Sequence, residues 1–380
     1  MERRLISYFL ISLILFSFII RLPVLITPHL DIDEIIYQTL TYQTLIDPLK
    51  YSLQGTEILK ILPQQMYDHP VFHHPPLFVF CLAFITNLFG KTWMIMLSII
   101  SGVLTIILTY DICRRFYNRK NALFSTLIAS CCPLLFFCST RIWIDAFLTL
   151  LVTLTIWSFL IALENNRKPY FIFSGIIFGL SILTKQTSIL IILTCLYMLF
   201  KDGLTKQRSV FFICFLFTAI LICSPWYIYF YRIYGTILPL WIKPSHELAN
   251  TFPFIKTVIT RPWHFYISRI VLIAPIYLFA FLNILYLLKK KQIRPEIIWA
   301  LSFIIPFSIL GINGCGYQTR FIAPAIPALA MLSANVFDLE NEWIGVLGIL
   351  LLALGMLTGI LNSLISNPSE VIPFYIFFNK

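Results

Sequence analysis

Long apolar runs separated by short polar segments make up most of this chain. A helix needs about 20 apolar residues to cross a bilayer. The pattern predicts an all-α integral membrane protein with about 11 transmembrane helices, near residues 5–26, 92–113, 121–138, 146–163, 170–184, 187–200, 209–231, 268–288, 296–312, 321–337 and 343–363. The fifth and sixth are short, so we expect their hairpin to stop below the outer surface.

One further apolar run, residues 77–89, is too short to cross. It has about 13 residues where a transmembrane helix needs roughly 20. We therefore interpret it as an interfacial helix on the outer face, directly after the polar segment 27–76. The chain then crosses the membrane once, through 92–113, between segment 27–76 and the basic residues at 114–120. One crossing places these two segments on opposite sides of the membrane.

Composition agrees with a membrane protein. The chain is 59% hydrophobic and 12% charged, well outside the range of soluble proteins. Its net charge of +11 comes mostly from Lys and Arg in short loops, as at 114–120, 167–168, 201–208 and 289–294. By the positive-inside rule these loops and the N-terminus are cytoplasmic, and segment 27–76 is extracytoplasmic. No basic face or aromatic–basic motif predicts nucleic-acid binding.

The domain organisation expected is simple. Residues 1–366 form one polytopic membrane domain whose first outer loop, 27–76, carries the chemistry, and residues 367–380 form a short tail. We expect no soluble C-terminal domain. The location is a plasma or inner membrane, or its equivalent.

The first outer loop gathers three carboxylates in a chain poor in charge. Asp31, Asp33 and Glu34 open a stretch whose apolar positions recur at helical spacing, which predicts a short amphipathic helix. Asp33 and Tyr37 are four residues apart and share one face. Asp31 either takes part in the chemistry or only caps the helix, because acidic residues also cap helix N-termini without further function.

Other ionisable residues fall on the same side of the predicted topology. Arg141 and Asp145 lie where two helices join, Lys185 lies in the turn of the short hairpin, and Arg320 begins the tenth helix. Ionisable residues at membrane depth are energetically costly, so their presence favours a functional role for them. The alternatives are a local Arg141–Asp145 ion pair and lysine or arginine side chains that extend to the headgroups.

The histidines leave open the question of whether the protein binds a divalent metal. His69, His73 and His74 lie near the carboxylates in the sequence, and Asp33, His73 and His74 are the candidate ligands. The sequence has no HExxH motif of fixed geometry. Gly-rich phosphate loops and GxSxG elbows are also absent, so the sequence indicates no soluble nucleotide-sugar site and no certain cofactor.

Five motifs in order resemble the C-type (GT-C) membrane glycosyltransferases. They are Asp33-Glu34 with Tyr37, HPPL at 74–77, the pair Arg141 and Asp145, GLSxLTK at 179–185, and TRFxxPxxP at 319–327. The similar branch contains the dolichyl-phosphate-mannose protein mannosyltransferases and the lipid A aminoarabinose transferases. The resemblance covers roughly residues 1–340.

The resemblance implies a hexosyl- or pentosyltransferase that uses a polyprenyl- or dolichyl-phosphate sugar on the extracytoplasmic face. Asp33, Glu34 and Asp145 are the candidate catalytic residues, with Asp33 as the base toward an acceptor hydroxyl of lipid, glycan or protein. Tyr37, His74, Arg141, Lys185 and Arg320 are the candidate substrate-binding residues. Of these, the cations would stabilise the leaving phosphate.

A carrier or flippase for lipids or sugars is the alternative function. Such proteins also use intramembrane charges and broken helices. They often carry two-fold repeats and charges near the midplane, whereas this sequence shows no strong repeat and its charges gather on one side. The transferase is therefore the favoured hypothesis.

Overall fold

The computed structural model describes residues 2–26, 31–62, 64–201, 203–237, 260–313, 318–338, 342–364, 370–373 and 376. Every regular element in these ranges is helical, so the all-α prediction is confirmed. The α-helices are α1 Glu2–Ile19, α2 Ile32–Ile46, α3 Gln64–Tyr67, α4 Leu77–Phe89, α5 Met96–Phe116, α6 Arg119–Ser130, α7 Pro133–Ser139, α8 Ile144–Asn165, α9 Lys168–Ile182, α10 Ile192–Lys201, α11 Lys206–Tyr234, α12 Phe265–Ile273, α13 Tyr277–Lys289, α14 Pro295–Ile312, α15 Ile326–Ala334 and α16 Glu342–Leu364.

The predicted transmembrane runs fall mostly on helix, but run 268–288 divides into α12 and α13, and run 321–337 begins and ends in 3₁₀ turns. Within the described ranges, six helices are long and apolar enough to cross a membrane, and the pair α6–α7, bent by 58°, makes a seventh if it acts as one span. The remaining runs form shorter apolar helices, such as Lys168–Ile182 and Gln186–Lys201. The run 77–89 forms a 13-residue helix with the predicted bounds. Most of the predicted tail 367–380 lies outside the described residues.

Helix α2 begins where the carboxylates predict. Asp31 is its N-cap: Oδ1 accepts a 2.7 Å hydrogen bond from the Asp33 N–H, and Glu34 Oε2 accepts one of 3.1 Å from the Asp31 N–H. This reciprocal capping box satisfies two of the free N–H groups of the first turn. Asp31 therefore has the capping role that the sequence left open, and the cap fixes where Asp33 and Glu34 project.

Two glycines on α9 hold the hairpin that carries Lys185. A Cβ at Gly175 would lie 2.4 Å from the carbonyl oxygen of Phe215, and one at Gly179 would lie 2.8 Å from Ile222 Cβ. Neither distance is available to a real side chain, so α9 and α11 approach at backbone contact, as small residues permit in membrane helices. The end of α9 is thereby fixed one turn before Lys185.

The two ends of α8 carry different chemistry. Asp145 lies in its first turn, while Glu164 near its other end forms an ion pair with Arg115 of the basic cluster. At 1.5 Å per residue these carboxylates are separated by roughly 30 Å, about the thickness of a hydrocarbon core. The candidate site and the basic loops thus lie at opposite ends of one helix, as the predicted topology requires.

The segment that precedes α4 has its own small core, which fixes it to the membrane helices. Tyr37, Leu40, Phe72, Phe78 and Trp226 are among its buried members. Polar bonds close the same contact: the Leu77 N–H donates to the Leu183 carbonyl at 3.1 Å, and Gln186 Nε2 donates to the His73 carbonyl at 3.0 Å. The segment is therefore anchored beside the hairpin turn.

Candidate functional site

Four predicted site residues form one continuous chain of opposite charges. Arg320 Nη2 donates to Asp33 Oδ2, and Arg320 Nε lies 3.6 Å from Asp145 Oδ2. Asp145 Oδ1 accepts a 3.0 Å hydrogen bond from Lys185 Nζ. The sequence positions 33, 145, 185 and 320 come from four separate elements, so the fold itself assembles this chain of alternating carboxylates and cations, which we call the charge chain.

Aromatic rings line the cations of the charge chain. The guanidinium carbon of Arg320 lies 3.9 Å from the centroid of the Trp143 ring, and Lys185 Nζ lies 4.6 Å from that of Phe321. Such cation–π contacts stabilise desolvated cations and fix their orientation. Gln318 Oε1 also accepts bonds from Arg320 Nε and Nη2, at 2.9 and 2.6 Å. Sequence reasoning missed Trp143, Phe321 and Gln318, although each lies within or directly beside one of the five motifs.

Solvent access differs along the charge chain. The side chains of Asp145, Arg320 and Lys185 are 2%, 7% and 8% exposed, whereas that of Asp33 is 28% exposed. Buried charges of this kind persist only when they are paired. Asp33 is therefore the member that remains open to an incoming molecule.

Glu34 and Arg141 lie apart from the charge chain and pair with each other. Arg141 Nη1 is 3.4 Å from Glu34 Oε2, and Glu34 Oε1 accepts a 2.9 Å hydrogen bond from the Ile142 N–H. Both side chains are almost fully buried, and the Arg141 guanidinium also lies over the Phe137 ring at 5.2 Å. Burial raises the pKa of the Glu34 carboxyl. Arg141 and Asp145 thus contact different partners rather than each other.

The turn after α7 is also held from the first helix. Arg21 is fully buried, and its Nε donates to Ser139 Oγ at 2.7 Å while Nη1 donates to the Ser17 carbonyl at 2.5 Å. Ser139 ends α7, two residues before Arg141. Sequence reasoning missed Arg21, because an arginine near a helix end ordinarily indicates a headgroup anchor.

Tyr37 closes one side of the site with its ring. It packs edge-on against Phe78, with ring centroids 5.1 Å apart, and is 6% exposed. Burial, followed by the charges of Asp33 and Asp145, raises the pKa of Tyr37 well above its usual range. The phenol therefore remains protonated and can act as a hydrogen-bond donor near these carboxylates.

His73 and His74 are neutral. Burial lowers the pKa of His73 to about 3 and that of His74 well below its usual value. Their rings are adjacent, with centroids 4.4 Å apart, and His74 Nδ1 has no hydrogen-bond partner in the described structure. No group of three or more metal-ligating His, Cys, Asp or Glu side chains occurs within the described ranges, so Asp33, His73 and His74 do not converge there.

Comparison with known proteins supports the family resemblance over part of the chain. Residues 73–229 match the family described as dolichyl-phosphate-mannose-protein mannosyltransferase. No curated protein sequence is similar to the whole chain at a significant level. The matched segment contains the HPPL motif, Asp145 and Lys185.

Solved structures of two enzymes share the fold. One is ArnT from Cupriavidus metallidurans bound to undecaprenyl phosphate, at 17% identity and a TM-score of 0.71, over 95% of this chain and 66% of that one. The other is the oligosaccharyltransferase of Archaeoglobus fulgidus, tethered with an acceptor peptide, at 15% identity and a TM-score of 0.60, over 93% of this chain and 54% of that one.

The chain therefore spans about two thirds or less of the length of these two proteins. Both are GT-C glycosyltransferases, and the likeness to them concerns the fold. Together with the family match, it confirms the resemblance inferred from the motifs: this chain has the membrane fold of the GT-C glycosyltransferases.

Proposed function

We propose that the protein transfers a sugar from a polyprenyl-phosphate carrier to an acceptor hydroxyl on the extracytoplasmic face of the membrane. The observation that carries this proposal is the charge chain, in which the buried cations Lys185 and Arg320 share the buried Asp145 and Arg320 also contacts the partly exposed Asp33. The undecaprenyl phosphate bound to ArnT, which shares the fold, supports a lipid of this class as the donor's carrier.

The donor phosphate is assigned to Lys185 and Arg320. Guanidinium and ammonium groups in a water-poor site stabilise phosphate oxygens strongly, and more so as those oxygens gain charge. Both cations already have their orientation fixed by Phe321 and Trp143. Arg141 is less suited to this role, because Glu34 and Phe137 occupy its guanidinium.

The acceptor hydroxyl is assigned to Asp33. In the step proposed, the acceptor oxygen forms a bond to the anomeric carbon, the bond from that carbon to the phosphate oxygen breaks, and the phosphate departs with the electron pair. The hydroxyl proton passes to Asp33, whose exposed position allows an acceptor to approach. Attack opposite the leaving group inverts the anomeric centre. Asp145, which is buried between the two cations, orients them.

Donor binding and base activation are coupled in this arrangement. Asp33 contacts Arg320 directly, so the guanidinium occupies one of its carboxylate oxygens. A donor phosphate that binds Arg320 competes with Asp33 for the same N–H group. Asp33 is then released toward the acceptor, so we expect the donor to bind before the acceptor.

The test is a transfer assay in liposomes with a panel of polyprenyl-phosphate sugars and a mixture of lipid, glycan and peptide acceptors. Transfer that depends on Asp33 and Lys185 is the expected result. Movement of intact lipid-linked sugar across the bilayer, without any transfer and without dependence on Asp33, would instead support a flippase.

A further inference from the structure

We infer that residues 370–373 hold Arg320 in place and that Glu370 is a positioning residue of the site. This inference rests on the proposed function for its catalytic meaning. Its structural part stands on contacts between the end of the chain, helices α12 and α16, and the turn that begins at Thr319.

The segment is fixed at its far end by α16. Asn362 is fully buried, its Nδ2 donates to the Ile372 carbonyl at 2.8 Å, and its Oδ1 accepts from the Ile372 N–H at 2.7 Å. This pair of bonds holds Ile372 as a neighbouring strand would. Val371 beside it is 1% exposed and belongs to the main hydrophobic core. The segment is therefore an integral part of the fold.

Glu370 connects this anchored segment to the site. Its Oε1 accepts a 3.2 Å hydrogen bond from the Thr319 N–H, and its Oε2 lies 3.6 Å from Arg269 Nη2. Arg269 Nη2 also donates to the Val371 carbonyl at 2.9 Å. Glu370 thus joins the backbone at Thr319 to a cation of α12.

The hydrogen bond to the Thr319 N–H acts at the start of the turn that carries Arg320. Thr319 begins the 3₁₀ turn Thr319–Ala325, and the first N–H groups of a helical turn have no partner within it. Thr319 is 1% exposed, so water does not replace the missing partner. The next residue is Arg320, and its contacts with Asp33, Asp145 and Trp143 depend on where this turn begins.

The experiment uses the full-length protein in nanodiscs and has two readouts. The first is hydrogen–deuterium exchange of peptides covering 318–325, which needs no ligand. The second is the Kd for undecaprenyl phosphate. Glu370→Leu removes both contacts of the carboxylate, whereas Glu370→Gln keeps an oxygen that can accept from Thr319. Glu57→Gln is the matched control, because Glu57 is an exposed carboxylate in an ion pair with Lys60.

We expect Glu370→Leu to speed exchange at 318–325 while exchange within 144–165 stays unchanged. The affinity for undecaprenyl phosphate should fall about tenfold, the loss expected when one charge-assisted hydrogen bond no longer orders the turn. Glu370→Gln should retain most of the protection and most of the affinity. Should Glu370→Leu fail to fold, Asn362→Ala removes the anchor at the other end and should give the same two changes more weakly.

Unchanged exchange at 318–325 in folded Glu370→Leu would overturn the inference. So would faster exchange there with an unaltered Kd, because Glu370 would then support the fold without positioning Arg320. A wild-type protein that does not bind undecaprenyl phosphate would refute the proposed donor class, and the exchange readout alone would then decide whether residues 370–373 fix the turn.

Discussion

Asp33 and Glu34 are neighbours in sequence, yet the structure places them in opposite environments. Glu34 is 2% exposed, and its oxygens contact the Ile142 and Asp31 N–H groups and the Arg141 guanidinium. Asp33 is partly exposed and contacts Arg320 in the charge chain. The first turn of α2 therefore directs Glu34 inward, where its oxygens are already hydrogen-bonded, and directs Asp33 toward the open site.

The difference separates support from chemistry. A buried carboxylate whose oxygens are already hydrogen-bonded cannot come within reach of an acceptor hydroxyl, but it fixes the elements that it joins. Glu34 joins α2 to the turn that carries Trp143 and leads to Asp145. We therefore assign Glu34 a positioning role and reserve the role of base for Asp33, although the motif lists them as a pair.

The largest effect is expected for Asp33→Asn. The amide keeps the size of the side chain but cannot accept the hydroxyl proton, so turnover should fall about 10²–10⁴-fold. The Kd for undecaprenyl phosphate should stay the same or become tighter, because the carboxylate that competes for Arg320 is gone. Turnover comes from the transfer assay and Kd from microscale thermophoresis. Near-normal turnover would remove Asp33 from the chemistry.

Glu34→Gln comes second, and its effect should appear in stability. The change leaves Arg141 buried without a countercharge, and breaking a buried ion pair costs about 3–5 kcal/mol. The midpoint of thermal unfolding in detergent should fall markedly, while turnover per folded molecule changes much less than in Asp33→Asn. A stable Glu34→Gln protein that has lost turnover as completely as Asp33→Asn would reverse the two roles.

Lys185→Ala should weaken donor binding without abolishing the fold. Its loss removes one charge-assisted phosphate contact, about 1.5–3 kcal/mol, or roughly 10- to 150-fold in the KM for the donor. Lys185→Arg is the control that keeps the charge but changes its shape and hydration. An unaltered donor KM in both variants would indicate that Lys185 only balances Asp145.

Asp31→Ala should have the smallest effect. It removes the N-cap of α2, which typically contributes about 1 kcal/mol, so the unfolding midpoint should fall slightly and turnover should stay close to normal. Asp31→Asn, which caps equally well, should match the wild type in both assays. A loss of turnover in Asp31→Asn would mean that a third carboxylate of this turn takes part in catalysis.

The sequence predicted the elements that depend on local pattern and length. Apolar run lengths gave the helices, the carboxylates at 31–34 marked the start of α2, and the short run 77–89 gave a helix with the same bounds. Topological reasoning also predicted that Asp33, Asp145, Lys185 and Arg320 collect on one side, because the ends of consecutive crossings alternate between the two faces.

The sequence could not predict the pairing within that side. Arg141 and Asp145 are one turn apart, so a local ion pair was one expectation, but packing of α2 brings Glu34 to Arg141 and the short hairpin brings Lys185 to Asp145. The contact of Glu370 with Thr319 joins residues 51 positions apart. Such contacts depend on how helices pack in three dimensions, which no periodicity in the sequence records.

The net charge of the charge chain affects how fast the enzyme can turn over. Two cations and two carboxylates cancel when no ligand is bound. The donor would bring a phosphodiester with one negative charge, but the carrier left after transfer is a monoester with about 1.5–2 charges near neutral pH. The same Lys185 and Arg320 would therefore hold the spent carrier more tightly than the donor, which predicts a first-turnover burst, product inhibition, and a steady-state rate set by departure of the lipid phosphate.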